Sequence, residues 1–219
     1  MPRPKSAGLD PEQEEKLRTD RLLDVAAEVF LELGYEGTST ALIAERAHAS
    51  KQTFYARFPS KEKLFLAVID RKLDEVFQRF QSLLQPEGPV RGVLLDFGRI
   101  ALEVLLSPEH VALVRIVQME ANRFPEIGKS FYKSGPGRGL KQLAGYFREQ
   151  SRRGTLAIED PELAAEHFLD LVAGGFLRKM LLRVDEVPSK KLQRYKVQAA
   201  IEVFLRAYCR VEKFAPTAK

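Results

Sequence analysis

Residues 38–64, TSTALIAERAHASKQTFYARFPSKEKL, constrain the fold more tightly than any other stretch of this chain. Ile43, Ala44 and Ala47 make a narrow apolar stripe at helical spacing, suited to close helix–helix packing. His48-Ala49-Ser50 interrupts that pattern, and Ser50 is a good N-cap for a second helix starting at Lys51. On the second helix Phe54 and Phe58 share one face, four residues apart. At about 100° per residue, Gln52 and Ala56 point the other way, flanked by Thr53 and Tyr55. The two aromatics anchor the helix while polar and small groups face outward. Lys51, Arg57, Lys61 and Lys63 add positive charge, opposed locally only by Glu62. This is the layout of a helix held in a DNA major groove, with base-reading groups outward and cations placed for phosphates.

The stretch resembles the helix-turn-helix of TetR/AcrR-type transcriptional regulators. The likeness extends to the Gly34-Tyr35 turn before it and the run from Phe58 through Ser60-Lys61-Glu62 to Leu64 after it, and it covers residues 16–76 with the motif at 39–58. It implies an all-α chain. A three-helix DNA-binding domain would be joined by a long helix to a helical effector-binding and dimerisation domain over 77–213. DNA-contacting positions are then Thr38, Thr40, Ser50, Lys51, Gln52, Thr53, Tyr55, Ala56, Arg57 and Lys61. One departure matters: the family usually has glycine at the inter-helix turn, and this chain has His48. Histidine enters positive φ more readily than most non-glycine residues, so the turn is expected to survive with some strain.

Bulk charge does not carry the argument. The formal net charge of +5 hides a segment, residues 1–65, with one more acidic than basic residue. The local cluster points to DNA; the composition does not. No run of about 18 apolar residues is present, so no membrane span is expected. The start MPRPKSAGLD lacks the apolar core of a secretory signal, which leaves the cytoplasm as the expected location. The single cysteine, Cys209, excludes an intramolecular disulfide framework and, within VFLRAYCRV, is expected to be packed in a core.

Residues 1–9, with Arg3 and Lys5 between prolines, read either as an arm touching DNA or as a solvated tail. Asp10-Pro11-Glu12-Gln13 opens a helix as a capping box with proline at its first position. Leu22, Ala26, Val29, Phe30 and Leu33 supply its core face, and Gly34 ends it. Thr38 is expected to cap the next helix. A long helix runs from Ser60 to about residue 84, with no glycine or proline inside, so it is suited to transmit a tilt between the two parts. Further helices are expected over 90–106, 108–121, 126–153 with a disturbance at Gly135-Pro136-Gly137, 161–183 and 189–211. No β alternation, repeat or low-complexity tract appears. The segment RFPEIGKSFYKSGPGR resembles the ligand domains of AefR-like regulators.

Catalytic constellations are missing: there is no G-x-S-x-G, P-loop, H-E-x-x-H or C-x-x-C. His48, His110 and His167 lie far apart, and no metal, cofactor or catalytic residue is assigned. Aromatic and thioether residues between 90 and 183 are mostly core by helical spacing, yet several flank kinks that leave gaps. The family resemblance implies a small-molecule pocket there, with Phe97, Met119, Phe124, Phe131, Tyr146, Phe168 and Phe176 as its candidate wall. Gly174 and Gly175 in one helix, and Ile201, Phe204, Leu205 and Tyr208 in the last, suit a homodimer interface; packing inside one chain would explain them nearly as well. The leading reading is a dimeric, ligand-released repressor on a palindromic operator. The alternative is a helical protein-interaction module whose motif no longer reads DNA, and a helical enzyme is a third reading against which the missing nucleophile–base pairs count.

Overall fold

The computed structural model describes residues 10–85, 87–184 and 186–209, with the side chains of Pro11, Lys51, Thr53 and Gln81 outside the description. The arm at residues 1–9 therefore lies outside it too. The described residues are helical almost throughout and fall into two compact units, divided in the chain between Arg71 and Lys72.

The first unit contains α1 (Pro11–Gly37), α2 (Thr40–Arg46), α3 (Lys51–Arg57) and the first half of α4 (Lys61–Gln81). Its core follows the apolar periodicity. Leu22, Ala26, Val29 and Phe30 of α1 are buried with Ile43 and Ala44 of α2, Phe54 of α3, and Leu64, Phe65, Val68 and Ile69 of α4. Phe30, Tyr35 and Phe65 form the aromatic centre, with Phe65 edge-on to Phe30 at 4.7 Å and to Tyr35 at 5.3 Å between ring centroids. Arg71 ties α4 to α1 by ion pairs to Asp20 (3.0 Å) and Asp24 (2.9 Å).

The helix ends differ in detail from expectation. Asp10 stands at the N-cap of α1, but its side chain makes no cap hydrogen bond, so Pro11 alone marks the start. Gly34, at φ 72°, breaks α1 where a terminator was expected, and one further turn follows to Gly37. The cap of α2 is Ser39, whose Oγ accepts from Leu42 N at 3.1 Å. Thr38 is buried instead, its hydroxyl donating to the Gly34 carbonyl at 2.6 Å. A β-hydroxyl placed one residue early reaches back to close the α1 turn rather than forward to the α2 amides.

His48 sits at φ 53°. His48 N donates to Glu45 O at 3.0 Å and Ala49 N to Ala44 O at 2.9 Å, the paired bonds that end a helix through a left-handed residue. The turn closes without glycine, at the steric cost of a Cβ in that region. His48→Gly is expected to raise the unfolding free energy of the protein by about 0.5–1 kcal/mol, the relieved strain being partly offset by the entropy of an unfolded glycine. Urea denaturation checks this, and a loss of stability would show that the imidazole makes compensating contacts.

The second unit holds the rest of α4 and α5 (Val90–Leu105), α6 (Pro108–Glu120), α7 (Pro125–Ser134), α8 (Pro136–Arg152), α9 (Pro161–Leu169), α10 (Gly175–Leu181) and α11 (Lys190–Tyr208). Prolines at the first turns of α6, α7, α8 and α9 fix each start, and Ser107, Asp160 and Ser189 accept cap bonds from the backbone three residues on. The disturbance expected at residues 135–137 is a corner at Gly135 between two helices. The helix expected over 161–183 is interrupted by a π turn, Asp170–Gly174, between α9 and α10. Gly174 and Gly175, adjacent glycines where the wider turn gives way to α10, lower the helix propensity at that point. The end of α10 is capped from outside: Arg115 of α6 donates to the Leu181 carbonyl at 3.2 Å and also to the Met180 carbonyl.

Aromatics dominate this core. Phe204 stacks on Phe147 at 4.9 Å and meets Phe168 edge-on at 5.3 Å, while Phe168 lies 6.2 Å from Phe97. Gly98 lets α11 approach α5 closely, since a Cβ there would stand 2.8 Å from Val197 Cγ1. Cys209 is exposed rather than packed: α11 ends at Tyr208, and Cys209 leaves the helix in extended conformation, in an isolated antiparallel bridge with Leu156.

Candidate nucleic-acid interface and ligand cavity

In the first unit α3 divides cleanly. Phe54 and Phe58 are buried at 0% and 9% exposure, while Gln52, Tyr55 and Ala56 face solvent. The Tyr55 hydroxyl lies 2.9 Å from the Thr40 hydroxyl, so the exposed face of α3 and the start of α2 share one polar point. Ser50 is exposed at the entry to α3; the side chains of Lys51 and Thr53 are outside the described part.

Three expected contacts are placed elsewhere. Thr38 is spent on the α1 turn, as above. Arg57 is mostly buried against α1, with its guanidinium paired to Glu15 and donating to Thr19 Oγ1 at 2.7 Å. Lys61 Nζ donates to the carbonyls of Tyr35 (2.8 Å) and Thr38 (3.1 Å) and sits 4.4 Å from the centre of the Tyr35 ring. Both cations hold the unit together, which local charge counting does not reveal because the acceptors come from distant parts of the chain. Lys63, by contrast, is exposed on the first turn of α4 and has no ion pair among the described residues. It belongs to the cationic cluster read in the sequence.

The second unit contains a cavity of about 570 Å³. Its wall comes from Leu73, Val76, Phe77 and Phe80 of α4, Phe97 and Ala101 of α5, His110 and Val114 of α6, Phe131 and Tyr132 of α7, Leu140 and Gln142 of α8, and residues of the π turn. Of the expected wall residues, Phe97 and Phe131 line it. Met119 does not; it is 74% exposed. Phe124 caps α7, and Tyr146 and Phe168 fill the core, so none of these borders the cavity. Phe176 also lies outside it, beside Met180 and Leu192. The α4 contribution was missed because its apolar face reads as ordinary core, and the π turn because periodicity assumes a regular helix.

Polar groups in this wall are few. Gln142 Oε1 is buried with no hydrogen-bond partner. His110 is partly buried beside the Phe131 ring, and burial pushes its imidazole down to about 4 from an ordinary 6.5. The folded chain therefore keeps His110 neutral where the unfolded chain is protonated. Between pH 6.5 and 4 the unfolded state binds more protons, so stability falls as pH drops through that window and the loss is complete below about 4. His110→Gln is expected to retain roughly 1–3 kcal/mol more stability at pH 4 than the parent, relative to pH 7. Denaturation curves of both proteins at the two pH values measure it, and parallel pH profiles would contradict the burial effect.

The expected dimer residues divide as well. Ile201 and Phe204 are buried within the core of one chain at 0% and 1% exposure, and Leu205 and Tyr208 pack partly against it. Gly174 lines the cavity, whereas Gly175 is exposed with no atom near its missing Cβ. The exposed apolar side chains of α11 are Leu192, Tyr195 and Val203, with Leu182, Val184 and Val187 in the segment before it. The outward stripe is thus offset around α11 from the one read in the sequence.

Among the described residues no cluster of His, Cys, Asp and Glu is arranged to hold a metal ion, and no helix is long and apolar enough to cross a membrane. Comparison with known proteins agrees with the geometry of both units. Residues 22–68 match the bacterial regulatory proteins of the tetR family, and residues 92–210 match the C-terminal domain of AefR-like transcriptional repressors. A TetR-family transcriptional regulator from Mesorhizobium loti MAFF303099 has a similar fold, with TM-score 0.85 and 29% identity over 90% of this chain and 98% of its own. The flavonoid-responsive regulator FrrA is 32% identical, with TM-score 0.78, over 93% of this chain and all of its own (100%). YvkB of Bacillus subtilis strain 168, an HTH-type transcriptional regulator, is 27% identical over 175 residues, covering 78% of this chain and 89% of its own. The chain belongs to the TetR family: it is a DNA-binding transcriptional regulator, not an enzyme, with an AefR-like C-terminal domain.

Proposed function

We propose that this regulator is a repressor that binds a palindromic operator as a homodimer and leaves it when a small apolar or amphipathic effector fills the cavity of the second unit. The division of α3 carries the DNA half of this reading. Phe54 and Phe58 fix the helix from inside, and Gln52, Tyr55 and Ala56 face outward, where base edges can be met. One such helix covers little DNA, and two-fold dimers read paired half-sites. The exposed stripe of Leu192, Tyr195 and Val203 supplies an apolar face for that association. The cavity volume and its mostly apolar wall support an effector of ordinary drug-like size. FrrA, similar along nearly its whole length, answers to flavonoids, which favours a ring-containing effector here.

Glutamine can bond adenine N6 and N7 together. Gln52→Ala is therefore expected to cost about 1–3 kcal/mol on the operator, a loss of roughly 10- to 100-fold, and to relax preference at one base pair. Titration of parent and variant against operator and random duplexes measures this. Equal losses on both would assign Gln52 to the backbone and remove base reading from that position.

A further inference from the structure

The chemistry of the cavity wall narrows what fills it, on the reading that this cavity is the effector site. The described wall contains no lysine or arginine, and its two acidic residues, Glu166 and Asp170, are exposed to solvent. The guanidinium of Arg138, stacked on the Phe77 ring, is already paired with Asp74, so an anionic effector would find no cation among the wall residues to offset its desolvation. The lining is otherwise aliphatic or aromatic except for a few polar groups, among them His110 and Gln142. Gln142 Oε1 is buried without a partner, a state that costs free energy until something supplies the missing bond. The two ends of an amide exchange by rotation about its last torsion. A hydroxyl, which both donates and accepts, therefore suits Gln142 in either orientation.

We infer that the effector is an uncharged, largely apolar ring compound bearing a hydroxyl, held by a hydrogen bond between that hydroxyl and the buried amide of Gln142. The rings of Phe77, Phe80, Phe97 and Phe131 give it aromatic faces to pack on. His110, which burial keeps neutral, offers a second polar point with one donor and one acceptor nitrogen. A carboxylate of the same skeleton meets no cation in the wall to offset its desolvation, and the bare hydrocarbon leaves Gln142 unpaired.

Calorimetric titration of the full-length protein with three probes of matched shape tests this: 4-phenylphenol, 4-phenylbenzoate and biphenyl. A phenol ionises near pH 10, so 4-phenylphenol is neutral at pH 7. The expected result is that 4-phenylphenol binds at least about tenfold more tightly than either of the others, the usual worth of one buried hydrogen bond. In Gln142→Leu the advantage over biphenyl falls below about threefold while biphenyl binds at least as well as before. That variant replaces an unpartnered polar group by an apolar one, so its melting temperature should hold or rise, and the comparison is made between folded proteins. Equal binding of phenol and carboxylate overturns the inference, as does a phenol advantage that persists in Gln142→Leu; in both cases the cavity still takes small molecules and the regulatory reading stands. Binding of none of the three overturns the inference and the effector-cavity reading together.

Discussion

Lys61→Met should cost the protein about 2–4 kcal/mol of stability and leave the salt dependence of DNA binding unchanged. The ammonium is the partner of two backbone carbonyls, Tyr35 at 2.8 Å and Thr38 at 3.1 Å, and caps the Tyr35 ring. Both residues are buried, so the truncated variant strands acceptors with restricted access to water. Each charge-assisted bond contributes about 1.5–3 kcal/mol, and methionine retains the packing of the stem. The same position, read from sequence, suits a phosphate contact at the start of α4. The two roles separate experimentally. A phosphate contact lowers the log–log salt slope by about 1 and weakens all sequences alike. Urea denaturation with binding measured at several salt concentrations distinguishes them, and a slope reduced by about 1 at unchanged stability would return Lys61 to the DNA.

A pair of glycines in the middle of α4, Glu75→Gly with Gln78→Gly, is expected to abolish ligand-triggered release while leaving ligand binding and DNA binding in place. α4 runs unbroken from Lys61 to Gln81; its first residues belong to the DNA-binding unit, and Leu73, Val76, Phe77 and Phe80 line the cavity. On the proposed mechanism, a ligand lodged against those four side chains would bias the helix whose first turns belong to the unit that carries α3. In a two-fold dimer a change in helix tilt alters the separation of the recognition helices, which must match about 34–36 Å or a multiple. The effector must also bind the mismatched state more tightly, because equal affinity for both shifts nothing. Glu75 and Gln78 are exposed, and Glu75 pairs with its helix neighbour Lys72 at 3.0 Å, so the substitutions fall on the outward face of α4. Asp74 is less suitable because it pairs with Arg138. The two glycines should cost about 1 kcal/mol each. Full-strength release in the folded double variant would rule out a rigid lever.

What the sequence made legible was decided by local physics. Phe54, Phe58, Gln52 and Ala56 lie within two turns of one helix, so their opposite faces follow from 100° per residue. His48 could be placed at positive φ because the helix pattern breaks there and histidine tolerates it. Proline and serine punctuation located most helix starts in the second unit. What stayed hidden depended on partners far away in the chain. Thr38, Arg57 and Lys61 look like surface donors until α1 and its terminal turn are folded against them. Ile201 and Phe204 carry the apolar stripe of α11, yet packing from α5 and α9 claims that face and leaves Leu192, Tyr195 and Val203 outward. The cavity wall was the least legible part, since an apolar side chain beside a void has the same sequence signature as one in a filled core.

The most direct test is a binding titration of the full-length protein on duplex DNA from the region upstream of its own reading frame, beside a random duplex of equal length, across a range of salt. Reading by α3 requires a specific complex at least about 10³-fold tighter than the random one, with both weakening as salt rises. Equal affinity for the two duplexes at every salt concentration would contradict the assignment of α3 as a sequence-reading helix.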